Sequence, residues 1–165
     1  MNLPLRNGVG IMVINKEKKV FVGKRIDNQE AWQMPQGGVD KNEDIKSAAL
    51  RELYEETGIT SVKILAESKH KYSYLLPENL LGKIWKGKFK GQEQKWFLMK
   101  FLGDDKEINI NMKNPEFSEW QWVNIDDLKK LIVSFKKNLY IKVIQEFKKF
   151  IWNLNFQFHL LVYLL

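Results

Sequence analysis

Between Gly37 and Ile59 the chain reads GGVDKNEDIKSAALRELYEETGI, and Glu52, Glu55 and Glu56 fall at the i, i+3, i+4 spacing that stacks side chains on one helical face. Ionised carboxylates so placed repel one another on a bare helix, so the pattern points to a cation brought between them, the other reading of the residues alone being an acidic, solvated helix ending in glycine. The chain has no cysteine and no histidine near this stretch, and oxygen donors alone suit magnesium, manganese or calcium rather than zinc. The segment also punctuates its own helix. Asp40 and Glu43 make a capping-box pair at its start, and Gly58 stands where a left-handed C-terminal cap belongs. Ile45, Ala49 and Leu53, beside Ala48, form an apolar stripe that packs such a helix on a sheet. Arg51 is placed to tether an acidic neighbour and orient it.

Around that helix the pattern is mixed. Residues 8–15 and 20–25 are β-branched or apolar runs split by NKEKK, which predicts a hairpin. Residues 62–66, 95–102 and 117–123 are further strand candidates, and 76–94, with Pro77, Gly82, Gly87 and Gly91, reads as a loop. Asn124 offers an N-cap to the short helix IDDLKKLI. A longer helix is expected from about Phe135, where Leu139, Val143, Phe147 and Phe150 keep helical spacing. A chain of 165 residues, 44% hydrophobic and 13% aromatic, can build one real core and leaves little for a second domain.

Charge and cysteine usage narrow the setting. Without cysteine there are no disulfides, and the start MNLPLRNG lacks the apolar core of a signal peptide, so a cytoplasmic protein is expected. Lysine and arginine total 27 against 20 acids, a net charge of +7, although the helix with the carboxylates is acidic. Lys83, Lys86, Lys88, Lys90 and Lys95 gather around Trp85 and Phe89, a mixture that fits a polyanion with bases to stack on, and fits a solvated lysine-rich loop equally well. The last 16 residues, FIWNLNFQFHLLVYLL, carry no charge. Trp152, Leu154, Phe156, Phe158 and Leu160 alternate with polar residues, His159 among them, a period that predicts a strand. The stretch is shorter than the ~20 apolar residues of a stable membrane span, so packing or self-association is the favoured role, and the oligomeric state is left open.

Written G-x5-E-x7-R-E-U-x-E-E-x-G-U, with U aliphatic, the segment resembles the Nudix box at Gly37, Glu43, Arg51, Glu52, Leu53, Glu55, Glu56, Gly58 and Ile59. The resemblance implies an α/β fold, an α/β/α sandwich with a mixed sheet, over residues 1–150, with the apolar tail 151–165 outside it. It also implies metal-dependent hydrolysis of a nucleoside diphosphate linked to another moiety. The stretches RNGVG from Arg6, WQMPQGG from Trp32, GQ and QKWF from Gly91, PEF from Pro115 with Trp120 and Trp122, and SFK from Ser134 are similar to one branch of that family. Its members remove pyrophosphate from the 5′-triphosphate end of RNA or hydrolyse diadenosine polyphosphates.

Carried over by position, this likeness implies a metal at Gly37, Glu52, Glu55, Glu56 and Glu116, with the four carboxylates also serving catalysis. It implies substrate contacts at Arg6, Arg25, Lys95, Phe135 and Lys136, Phe135 stacking on a terminal base. A divalent metal is the expected cofactor, magnesium first, with manganese or another divalent ion as the alternative. The expected partner is 5′-polyphosphorylated RNA, whose trimming to a monophosphate opens it to decay. Dinucleoside polyphosphates would use the same carboxylates, and a non-catalytic RNA- or nucleotide-binding module is the reading from another class, against which the full set of box carboxylates stands.

Overall fold

The computed structural model describes residues 3–162, with side-chain surroundings as far as residue 153. The strand β1 (Leu5–Ile14) lies at its centre, because from Val9 onward both of its faces are apolar. Val9, Ile11 and Val13 enter one core while Met12 and Ile14 enter the other. β2 (Val20–Arg25) returns antiparallel beside it and carries the short β3 (Trp32–Gln33) on its far side. β4 (Gln36–Gly38) pairs with Gly8–Gly10 of β1.

β5 (Val62–Glu67), β6 (Tyr72–Leu75) and β7 (Gly91–Phe101) complete that half of the sheet. β7 runs parallel to β1 over its whole length, from Leu5 opposite Gly91 to Ile14 opposite Lys100, and both β5 and β6 pair antiparallel with β7. β8 (Phe117–Val123) closes onto β2, giving a mixed eight-stranded sheet.

Helices cover both faces. α1 (Ile45–Thr57) lays Ala48, Ala49 and Leu53 on Val9, Ile11 and Phe97. On the other face α3 (Lys137–Val162), with α2 (Leu128–Leu131) alongside, lays Leu139, Tyr140, Val143 and Phe147 on Met12, Trp96 and Leu98. Full burial of a large apolar side chain contributes roughly 1.5–3 kcal/mol, so these two stripes hold the three layers together. Tyr140 meets Trp96 edge-on at 5.6 Å, and its hydroxyl accepts the Met34 amide at 2.8 Å, which ties α3 to the segment between β3 and β4.

Several expectations need correction. α1 begins later than the Asp40–Glu43 pair implies: Asp44 is its N-cap and accepts the Ser47 amide at 3.0 Å. Glu43 does reach back to the Asp40 amide at 2.9 Å, but inside a turn that precedes the helix. Gly58 takes the left-handed conformation, φ 71°, as its position implies. The residues read as loop between 76 and 94 hold a 3-10 turn, Ile84–Gly87, and the start of β7. Asn124 stands at a cap, yet its side chain makes no capping bond.

The two-residue alternation after Phe150 makes no strand. α3 crosses residue 150 unbroken to Val162, since nothing from Lys137 onward is Gly or Pro and propagation costs less than starting a new element. Ile151 supplies the next core contact, while Phe150 is 41% exposed. The side chains from Leu154 onward, including Phe156, Phe158, His159 and Leu160, lie outside the described residues. No helix among the described residues is long and apolar enough to cross a membrane.

Candidate active site

At the N-terminal half of β1 the chain opens into a cleft of about 920 Å³. One end is acidic and is built by α1 against β4. Glu52 and Glu56 point inward from the helix, and Glu55 stays at the rim with its side chain 54% exposed. Gly37 makes room for this: a Cβ there would lie 1.9 Å from the Glu52 carboxyl carbon. Glu56 is buried, and its Oε2 accepts the Gln36 amide at 3.3 Å while its Oε1 has no hydrogen-bond partner. Burial, followed by repulsion from Glu116 and Glu52, raises the Glu56 pKa well above the usual carboxylate range. Glu116, from the turn before β8, is fixed beside the end of β2 by its carbonyl, which accepts the Ile26 amide at 3.0 Å.

Arg51 organises this end as its position predicts. Its guanidinium donates to both Glu43 oxygens at 2.7 Å, to Glu52 at 2.9 Å, to Glu55 at 3.0 Å and to the Gly38 carbonyl at 2.9 Å. The fork holds Glu43 down at about 2. Burial raises the pKa of Glu52, though the Arg51 bond opposes the shift.

The other end is cationic and aromatic. Arg25, at the end of β2, donates to Gln33 Oε1 at 2.9 Å and grips Asp27 with a second fork, Nε to Oδ1 at 2.6 Å. Lys136 is only 4% exposed and donates to the same Gln33 oxygen at 3.3 Å. Burial, and then repulsion from Arg25, pushes the Lys136 amine down to about 7. Its Nζ stands 5.0 Å from the Tyr74 ring centre and 5.9 Å from that of Phe135, and the two rings are 5.7 Å apart. Arg6 lies over Trp85 at 5.3 Å. Trp85 and Lys86 both have positive φ, 50° and 55°, a costly conformation that places the indole on the cleft wall. Gln92 joins the two ends, accepting from the Tyr74 hydroxyl and donating to the Gly37 carbonyl, each at 3.1 Å.

Arg6, Arg25, Gly37, Glu52, Glu55, Glu56, Glu116, Phe135 and Lys136 thus share one cleft. Lys95 does not join them: it leaves β7 on the α1 side, paired with Glu67 at 3.3 Å. Of the lysine-rich stretch, Trp85 lines the cleft and the lysines do not. Gln33, Tyr74 and Gln92 carry much of the geometry without having stood out by residue type, whereas Trp85 did stand out, among the lysines. The signal of the first three is weak, a pair of glutamines and a four-residue strand, and only the fold gathers them.

Among the described residues no three carboxylate or imidazole groups converge into a cage for a cation. Arg51 occupies two of the carboxylates here, donating to Glu52 and Glu55. The donors themselves suit a hard divalent ion. They are all oxygen, one of them, Glu56 Oε1, is buried without a partner, and the missing Gly37 side chain lets the Glu52 carboxyl lie against the Gly37 backbone.

The NUDIX domain family matches residues 4–143, a span that holds every cleft residue from Arg6 to Lys136, and the chain belongs to the Nudix family, whose hydrolases use divalent metals. Among its curated relatives, the RNA pyrophosphohydrolase of Pelagibacter ubique is 59% identical over 150 residues, 90% of this chain and 95% of that one. The protein of the same name from Sphingopyxis alaskensis is 51% identical over 148 residues, 88% of this chain and 94% of that one. Solved structures share the fold. A Caenorhabditis elegans Ap4A hydrolase binary complex superposes with a TM-score of 0.67 at 22% identity, covering 90% of this chain and 99% of that one. The Escherichia coli dihydroneopterin triphosphate pyrophosphohydrolase gives 0.66 at 16% identity, covering 87% and 97%.

Proposed function

We propose that this protein is an RNA pyrophosphohydrolase that takes pyrophosphate from the 5′-triphosphate end of RNA and leaves a 5′-monophosphate. The observation that carries the reading is the joining of two unlike ends in one cleft, carboxylates on one side and a buried lysine, two half-buried arginines and aromatic rings on the other. A triphosphorylated nucleotide has the same polarity, phosphates that need a metal and a base that needs a ring. The names of the relatives that cover nearly the whole chain support it.

In this reading Arg25, Lys136 and Arg6 take the phosphate oxygens, and Gln33 holds the first two in place by accepting from both. Phe135 stacks on the first or second base with Tyr74 behind it. Glu52, Glu55, Glu56, Glu116 and the Gly37 carbonyl would hold divalent cations, magnesium by preference. When bound, such ions offset the polyphosphate charge and acidify a bound water. The water oxygen forms a bond to phosphorus as a phosphoanhydride bond breaks, and the proton it loses passes to Glu56 or Glu116. Arg51 orients Glu52 and Glu55 from behind. A chain without cysteine fits work in the reducing cytoplasm, where such RNA is made.

The test compares kcat/KM for 5′-triphosphorylated RNA and for diadenosine tetraphosphate at equal magnesium. The RNA is expected to win, with pyrophosphate as the product. A clear advantage for the dinucleotide would move the protein to the diadenosine polyphosphate hydrolases.

A further inference from the structure

A second concavity, of about 1110 Å³, lies between the turn that joins β5 to β6 and the outward face of α3. We propose that it is a binding path for the single-stranded RNA that follows the 5′ end. The inference rests on the RNA-end reading for its biological sense, though its geometry is independent of the cleft.

The groove combines cations and rings. Lys142, Gln145, Lys149 and Trp152 fall at i, i+3, i+7 and i+10, one stripe along α3, and Lys69 faces them from the turn. None of Lys69, Lys142 and Lys149 has an acidic partner among the described residues. The one acid in the lining, Glu146, is already committed: its Oε1 accepts the Lys69 amide and its Oε2 the Tyr72 hydroxyl, both at 2.6 Å. That arrangement pins the turn to the helix, and Lys69, Lys142 and Lys149 outnumber the one carboxylate, which accepts from neutral donors and forms no ion pair among the described residues. Trp152 is 63% exposed, large for an indole with no purpose in solvent, and Phe150 stands beside it at 41%. Lys148 crosses the Trp152 ring at 5.7 Å while bonded to Asp126 at 2.6 Å, which steadies the indole. Lysines in excess of acid around exposed rings are what a single strand needs, since phosphates pair with the charges and any base can stack.

The groove is also aligned with the cleft. Tyr72 and Tyr74 are alternate residues of β6 and so share a face; Tyr72 borders the groove and Tyr74 lines the cleft. Two alternate residues of a strand are only about 6.6 Å apart, so groove and cleft open on the same side of the sheet, at the two edges of the contact between β6 and α3, and an RNA chain would pass from one to the other over the outside of that contact.

The experiment uses the full chain and the triple variant Lys142→Gln, Lys149→Gln, Trp152→Ala, all three at exposed positions. Binding is measured to a 5′-hydroxyl single-stranded RNA of about 20 nucleotides, longer than the roughly 4–16 that one module covers. The variant is expected to bind at least about tenfold more weakly, with a salt slope shallower by about 1.4 for the two cations removed. On triphosphorylated RNA, kcat/KM should fall for the long substrate and stay level for one of two or three nucleotides. Lys142→Arg with Lys149→Arg, keeping Trp152, should bind as the parent does. Equal binding of the long RNA by parent and triple variant, with the fold intact, overturns the proposal. So does unchanged RNA binding accompanied by a loss of self-association or of vesicle binding, which would assign the groove to a second copy or a lipid surface. Length-dependent binding without turnover of any RNA would retain the groove and reject the proposed activity.

Discussion

The two ends of the cleft are built by opposite means. The acidic end comes almost entirely from residues 36–56, one strand and the helix that follows it, with Glu116 added from the turn before β8. The cationic and aromatic end draws Arg6, Arg25, Gln33, Tyr74, Trp85 and Lys136 from positions up to 130 residues apart. In the proposed function the reaction chemistry is local and is spaced by the turn of a helix. Recognition, in the same reading, is tertiary and depends on which strands lie side by side. Substitutions at the first end should therefore act on turnover, and those at the second on substrate capture.

The strongest challenge to that division is Glu56→Gln, which keeps shape and removes a buried ionisable carboxyl. It should lower kcat by about 100- to 10,000-fold, the scale of losing an acid–base or electrostatic group, while KM for RNA moves little. A rise in KM at near-normal kcat would erase the distinction. Gly37→Ala tests the same end through space rather than charge. The new methyl meets the Glu52 carboxyl, and a displacement of about 1 Å in such a site costs on the order of 100-fold in turnover; a parent-like kcat would mean that Glu52 is not held where it acts.

At the other end Phe135→Ala should cost about 10- to 100-fold in kcat/KM on RNA, the worth of one base–aromatic stack, with kcat at saturation nearly kept. A ring that serves only the core would show its removal in Tm instead. Lys136→Met should raise the RNA KM by about tenfold, the scale of one charge-assisted hydrogen bond to phosphate, and yet stabilise the fold. The buried amine titrates near 7 in the folded chain against 10.5 when free, so between those values the unfolded chain binds more protons and stability rises with pH. The cost of burial is full below the lower value and fades towards the higher. The Tm gain of the variant should thus be larger near about pH 6 than near about pH 9. A gain that grew with pH would contradict the burial.

What the sequence makes legible follows the same division. The carboxylate helix, the Gly58 cap and the tether from Arg51 can be read because helical period and capping chemistry are local rules. The start of α1 shifts from Asp40 to Asp44 because two acids four residues apart can each close a turn, and the bond to Ser47 decides between them. β3, β4 and β6 have two, three and four residues, too few to show any period, and they exist through the partners they add to. The alternation after Phe150 misleads because a running helix extends through any sequence that does not break it. Lys95 has the right charge and the wrong side of β7, a matter of register that no local rule supplies.

The parallel pairing of β1 with β7 also sets when the cleft can exist. A ribosome makes Arg6 first, but its strand has no parallel partner until Gly91–Phe101 has followed, and Lys136 comes later still. The carboxylate helix is complete in sequence long before the cleft, so a nascent chain carries Glu52, Glu55 and Glu56 before Glu116 and Lys136 have been made. Such long-range closure is slow among folds of this size. The cleft therefore closes only after residues 130 positions apart, Arg6 and Lys136, have both been made and brought together.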